Sequence, residues 1–170
     1  MIKILYAEDD AMQAKTCIDY LKRAGYKVVH AADGEQALWL YRRETPDLIL
    51  LDVIMPKMSG FEVAKKIREE DFSTPILFIS SLTHSQHAID GFDLGANDYI
   101  RKEVLLDEVV ARVNRWLRNM GMLKVETDFM KISGDVSFNP IRRYLIIKGE
   151  TNQLTPMETR VLKTLCLKKN

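Results

Sequence analysis

Five short apolar runs alternate with stretches of helical period through residues 1–119, and this alternation limits the fold more than any other feature of the chain. Ile2–Ala7 reads as a buried strand. Ala11–Ala24 reads as a helix with Ala14, Cys17, Ile18 and Leu21 on one face and Gly25 as its stop. Tyr26–Ala31 is a second strand, and Asp33 is placed to cap a helix running to Arg43. Pro46 breaks the chain before Leu48-Ile49-Leu50-Leu51, a run apolar on both faces that ends at Asp52. A loop with Pro56 and Gly60 leads into a helix over Phe61–Glu70, and Pro75–Ser80 gives a fourth strand. A helix over Ser85–Leu94 stops at Gly95, Asp98–Arg101 is a short fifth strand, and Leu105–Leu117 is a helix. Parallel strands need crossover connections, and helices in those crossovers cover both faces of the sheet. The expected fold class is therefore α/β, a doubly wound five-stranded parallel sheet.

Beyond this the rhythm changes. Gly121 between Met120 and Met122 marks 120–125 as a linker. Phe129–Ile132, Val136–Phe138 and Tyr144–Ile147, separated by Gly134, Asn139-Pro140 and Gly149, read as short antiparallel strands. At Leu154-Thr155-Pro156-Met157-Glu158 a helix opens: Thr155 offers the N-cap oxygen, Pro156 takes the first helical position and Glu158 closes a capping box. Met157, Val161, Leu162 and Leu165 are expected to share its buried stripe. A strand platform with one helix has little core, so 126–170 reads as the unfinished start of a second domain. Charge divides similarly: residues 120–170 hold nine basic and five acidic side chains, net +4, against sixteen and nineteen in 1–119, net −3. Such a split suggests modules with different partners; the basic excess alone is weak support for nucleic acid.

A composition of 46% hydrophobic and 29% charged residues is globular. No apolar run approaches the roughly 18 residues of a membrane span, and Glu8-Asp9-Asp10 arrives before a signal peptide could build its apolar core. With only Cys17 and Cys166, far apart, no disulfide framework or thiolate metal site is indicated. The expectation is a cytoplasmic chain with no membrane partner.

The strand ends carry the chemistry. The first strand ends in Glu8-Asp9, the third in Asp52 and the fourth in Ser80, while Lys102 follows the fifth. Parallel strands bring these ends to one edge, where ligands of open α/β sheets bind. Each singly reads as well as a cap or a solvated group, and Asp9 or Asp10 could cap the first helix. Together, three carboxylates repel unless a cation neutralises them, and hard oxygen ligands suit Mg²⁺ or Mn²⁺. One carboxylate could then attack a phosphoryl group, with Lys102 and the Ser80 hydroxyl binding its oxygens.

Tyr6-Ala7-Glu8-Asp9-Asp10, Leu51-Asp52 through Pro56 to Gly60, Ile79-Ser80-Ser81 and Gly95-Ala96-Asn97-Asp98-Tyr99-Ile100-Arg101-Lys102 stand in the order and spacing of a receiver domain. Residues 1–119 thus resemble the flavodoxin-like receiver of two-component response regulators. Residues 126–170 resemble the opening of the winged-helix effector domain of the OmpR/PhoB type, without its recognition helix or wing. The resemblance implies that Asp52 accepts a phosphoryl group from a sensor histidine kinase. It implies Mg²⁺ held by Glu8, Asp9, Asp52 and the Ile54 carbonyl, a switch pair of Ser80 and Tyr99, and Lys102 on the phosphate. It also implies a homodimer through the fourth helix, fifth strand and fifth helix, with Asp98, Glu108, Arg112 and Arg115 as candidate charges. Transcriptional control through DNA is then expected only in a longer parent chain; the alternative is a receiver acting through protein contacts alone.

Two departures from the family pattern stand out. Glu103 follows Lys102 where Pro is usual, so a trans peptide and a shifted lysine loop are expected, since a non-proline cis bond costs about 2.5–4 kcal/mol. Asn97 stands where many relatives have an acid, removing one possible dimer salt bridge. His30, His84 and His87 show no metal-site spacing and read as surface or core residues. Two rivals fare worse. A haloacid-dehalogenase-type phosphatase wants an acid where Ile54 stands, and a flavin carrier would not place Glu8-Asp9-Asp10 against phosphate. No enzyme activity is expected beyond self-phosphorylation and slow dephosphorylation, because Ile54 and Leu82 cannot hydrogen-bond an attacking water.

Overall fold

The computed structural model describes residues 1–82, 85–123, 130–140 and 143–167. The chain divides into two compact units, Met1–Met122 and Leu123–Asn170. His84, residues 124 and 125 of the expected linker, and the expected strand start at Phe129 lie outside the described residues.

The first unit runs β1 (Lys3–Ala7), α1 (Ala11–Arg23), β2 (Lys27–Ala31), α2 (Gly34–Glu44), β3 (Leu48–Asp52), α3 (Gly60–Arg68), β4 (Ile76–Ser80), α4 (Ser85–Asp93), β5 (Asp98–Arg101) and α5 (Leu106–Asn119). All strand pairings are parallel and the order is β2-β1-β3-β4-β5. The chain moves outward from β1 first to β2, then crosses back to β3. The direction of winding therefore reverses at β1 and β3, the two strands that end in the acids. Every residue of β3 and β4 is buried, as their two-sided apolar pattern requires. One core layer joins Leu5, Ile49, Leu51 and Phe78 of the sheet to Ala37 and Leu40 of α2 and Val63, Ala64 and Ile67 of α3. The buried stripes of α1 (Ala14, Cys17, Leu21) and α5 (Val109, Val113, Leu117) belong to two helices that pack side by side.

In the second unit β6 (Met130–Ser133), β7 (Val136–Asn139), β8 (Tyr144–Ile147) and β9 (Glu150–Gln153) form an antiparallel sheet in sequence order, followed by α6 (Pro156–Leu167). Sequence reading missed β9 because Glu150-Thr151-Asn152-Gln153 has no apolar face; it pairs through its backbone with β8. The capping box forms as expected: the Thr155 amide and hydroxyl both donate to Glu158 at 2.8 Å, and the Glu158 amide donates to Thr155 Oγ1 at 3.3 Å. The expected buried stripe does not form. Met157 is 77% exposed, Val161 and Leu165 are also exposed, and Leu162 is only half-buried, while Thr159 is buried. Helical spacing identified which residues share a face, but among the described residues nothing covers that face. Among the described residues no helix is long and apolar enough to cross a membrane.

Candidate functional site

Strand register builds the site. Ala7 lies beside Leu51, Asp52 beside Ile79, and Ser80 beside Arg101, so the residues that leave these strands do so along one edge. Glu8 and Asp52 are 1% and 3% exposed, Ser80 is fully buried, and Asp9 is open to solvent. Carboxylate oxygens of Glu8, Asp9 and Asp52 all come within 4.8 Å of one another. Lys102 reaches into this group, with Nζ donating to Asp52 Oδ2 at 2.6 Å and to Glu8 Oε1 at 2.9 Å. The Lys102–Glu103 peptide is trans, as expected, and the ammonium still reaches both acids.

Asp10 settles the capping question. Its Oδ1 accepts from the amides of Met12 at 2.8 Å and Gln13 at 2.9 Å, so Asp10 caps α1 and Asp9 is left to the cluster. Those amides, Gln13 foremost, hold the Asp10 carboxyl below its ordinary pKa. Burial pushes Asp52 above the ordinary carboxylate value, against the opposing bond from Lys102. Burial also works against charged Lys102, but its bonds to Asp52 and Glu8 outweigh that and its pKa ends above the ordinary lysine value.

Two further residues support Glu8, and the sequence reading gives neither a place at the site: His30 is expected there to be a surface or core residue. The Tyr6 hydroxyl donates to Glu8 Oε2 at 3.1 Å, and His30 Nε2 meets the Glu8 carbonyl oxygen at 2.9 Å. Tyr6 precedes Glu8 by two, the spacing that puts side chains on one side of a strand, and that was the available signal. Burial raises the Tyr6 hydroxyl far above the usual phenol pKa, so it is a donor at any working pH.

Ser80 and Tyr99 meet at Leu82. Ser80 Oγ accepts from the Leu82 amide at 3.1 Å, and the Tyr99 hydroxyl donates to the Leu82 carbonyl at 3.1 Å. The two groups are thus tethered to one residue of the β4–α4 connection. Asp52 Oδ1 accepts from the Ile54 amide at 3.2 Å, and the Ile54 side chain is 54% exposed beside it.

Three of the four charges expected on the dimer face pair with one another within the chain. Arg112 Nη1 bonds both oxygens of Asp98 at 3.0 Å, and Nη2 bonds Glu108 at 2.7 Å, while Arg115 is exposed. Asn97 turns inward: its Oδ1 accepts from Arg68 at 3.2 Å and from the Ile76 amide at 2.9 Å.

Three carboxylates against one ammonium leave the cluster with two uncompensated negative charges at full ionisation. The donors are all hard oxygens and one of them faces solvent. That donor set fits a divalent cation such as Mg²⁺ that keeps some of its waters.

Residues 4–114 match the model of a family described as the response regulator receiver domain. The transcriptional regulatory protein RprY of Bacteroides fragilis is 32% identical over 170 residues, which cover 99% of this chain and 72% of that protein. The alkaline phosphatase synthesis transcriptional regulatory protein PhoP of Bacillus subtilis is 35% identical, over 95% of this chain and 71% of that one. Among solved structures, the BeF3-activated N-terminal receiver domain of Klebsiella pneumoniae RstA superposes with a TM-score of 0.66 at 32% identity. That match covers 68% of this chain and 98% of the receiver.

Proposed function

The chain belongs to the response regulator receiver family, and from that membership we propose that it is a phosphorylation switch in which Asp52 takes a phosphoryl group from a histidine kinase. The observation that carries this reading is the placement of Lys102 Nζ 2.6 Å from Asp52 Oδ2, beside the acids Glu8 and Asp9. One Asp52 oxygen attacks phosphorus, the bond from phosphorus to the donor's imidazole nitrogen breaks, and the imidazole leaves with the electron pair. Lys102 follows the charge from the carboxylate to the phosphoryl oxygens. Glu8, Asp9, Asp52 and the Ile54 carbonyl would hold Mg²⁺, which when bound neutralises charge building on the phosphoryl group.

In the unphosphorylated state Ser80 Oγ accepts from the Leu82 amide. Turning to a phosphoryl oxygen, it releases Leu82, and Leu82 is also what holds the Tyr99 hydroxyl. The hydroxyl and the ring therefore move as a pair, which changes the surface of α4, β5 and α5. Homodimerisation through that surface, with Asp98, Glu108, Arg112 and Arg115 exchanging partners, would carry the signal to transcription.

The test is incubation with a small phosphodonor and Mg²⁺, followed by mass measurement of the intact chain. Wild type is expected to gain one phosphoryl group. Asp52→Asn gains none, because the amide lacks the nucleophilic oxygen. Equal labelling of both would overturn the assignment.

A further inference from the structure

Glu8 is the least exposed of the three acids, and its carboxylate is held from three directions. Lys102 Nζ stands 2.9 Å from Oε1 and 2.8 Å from Oε2, the Tyr6 hydroxyl donates to Oε2 at 3.1 Å, and the Asp10 amide reaches Oε1 at 3.4 Å. The amide bond is long and the ammonium bonds are short. If the hydroxyl were absent, the carboxylate would be left almost wholly to Lys102, since a buried anion settles on its strongest donor. A cation binding the cluster would then have to compete with that ammonium for Glu8 alone.

The Tyr6 side chain is itself fixed. It is 2% exposed, its strand neighbours in register are His30 on β2 and Leu50 on β3, and its ring lies tilted on the His30 imidazole at 6.4 Å. His30 in turn binds the Glu8 carbonyl, so one layer fixes the backbone of Glu8 through His30 and its carboxylate through Tyr6. Partners behind a ligand orient it, and this arrangement does so for an acid that has little freedom of its own.

We propose that Tyr6 is a positioning residue of the cation site, its hydroxyl holding the Glu8 carboxylate within reach of Asp9 and Asp52 instead of ceding it to Lys102. The inference rests on the cation reading above, and it concerns metal binding alone, without phosphorylation.

The experiment is a titration of the full chain with Mn²⁺, with no phosphodonor present, following the paramagnetic resonance signal of the free ion. Tyr6→Phe removes only the oxygen and is expected to weaken Mn²⁺ binding about tenfold, the lower end of what second-layer changes cost. Tyr6→Val removes it with a residue that suits a buried strand, and is expected to weaken binding comparably. In a Glu8→Gln background the same Tyr6→Phe change is expected to do little, because the group it positions is gone. Equal affinity of Tyr6→Phe, Tyr6→Val and wild type would overturn the proposal while leaving the cation site standing. An equal loss with and without Glu8 would overturn it too, by showing a general structural effect. Failure of wild type to bind Mn²⁺ at all would overturn the cation reading and this inference with it.

Discussion

Lys102 Nζ lies 2.6 Å from Asp52 Oδ2, a contact that spans the end of the sheet from the loop after β5 to the end of β3. The ammonium is the sole basic partner that the described structure gives either buried acid, Glu8 or Asp52. Removing one partner of a buried pair is destabilising because the remaining charge is stranded. Lys102 keeps some contact with solvent, so Lys102→Met is expected to cost about 2–4 kcal/mol without divalent ions. Added Mg²⁺ should then raise the melting temperature more in the variant than in wild type, since three carboxylates are left with no ammonium. Thermal melts of both chains with and without Mg²⁺ check this. An equal shift in the two would mean the cluster does not take the ion.

A Cβ on Gly60 would sit 2.1 Å from the Asp52 carbonyl oxygen, and one on Gly34 would sit 2.0 Å from the Met58 carbonyl oxygen. Both obstacles are backbone, so no rotamer relieves them. The two glycines let the β3–α3 loop fold closely over the end of β3 and place Ile54 beside Asp52. Gly60→Ala is expected to lose about 2–3 kcal/mol by overpacking and to slow phosphorylation of Asp52, because its backbone must shift. Denaturant unfolding and labelling by a small phosphodonor measure the two effects. A stable variant with a normal labelling rate would show that the loop can move freely.

The parts of this molecule legible in the sequence were those that repeat a local rule. β3 and β4 announce themselves because burial on both faces leaves no polar position until Asp52 and Ser80. Parallel order then forces Glu8, Asp9, Asp52, Ser80 and Lys102 toward one edge, so the cluster is legible from the strand pattern alone. What escaped depends on which buried polar groups find partners, some near in sequence and some far. Arg68 is nine-tenths buried and donates to Gly95, Asp71 and Thr74 carbonyls and to Asn97. Helical period puts Arg68 on the buried face of α3 with Ala64 and Ile67, away from exposed Lys65 and Lys66, but it does not say which carbonyls a buried guanidinium there would bond. Asn97 was read as a missing surface charge for the same reason, and the exposed stripe of α6 shows that period identifies a face without supplying its cover.

Ile54 and Leu82 stand beside Asp52, the proposed acceptor, and beside the Ser80 hydroxyl, and neither side chain can hydrogen-bond a water to orient it. Ile54 is more than half exposed, so a polar replacement there costs little stability. The phosphorylated chain is therefore expected to persist for many minutes in Mg²⁺, whereas Ile54→Gln, which offers an amide to the attacking water, should shorten that lifetime about tenfold or more. Mass measurement of the decaying phosphoprotein supplies both rates. Loss of the phosphoryl group from wild type within seconds would contradict the assignment of these two side chains.

Asp71, in the turn after α3, governs an acid limb of stability. Its Oδ1 accepts from the Ser73 amide and hydroxyl, each at 2.7 Å, and from the Thr74 amide at 3.1 Å, while Oδ2 accepts from the Tyr41 hydroxyl at 3.0 Å. Partial burial works to raise the carboxyl, but the donors from Ser73 and Thr74 outweigh it and its pKa falls well below the ordinary value. The unfolded aspartate titrates near 3.9, above the folded group, so the stability from this ionised form is complete above about pH 4. That stability is lost as pH falls through the folded value. Tyr41 works in the opposite sense: burial, with the Asp71 bond behind it, pushes its hydroxyl up to about 12. Its contribution is whole below the ordinary tyrosine value near 10 and is lost as pH rises through about 12. Asp71→Asn is expected to cost about 1 kcal/mol at neutral pH, a net hydrogen-bond contribution at a partly exposed site. Because the asparagine does not titrate, the gap between the two chains should close as pH falls toward 3 and below. Denaturant midpoints of both chains across that range decide it, and parallel curves would show that the turn does not depend on the charge of Asp71.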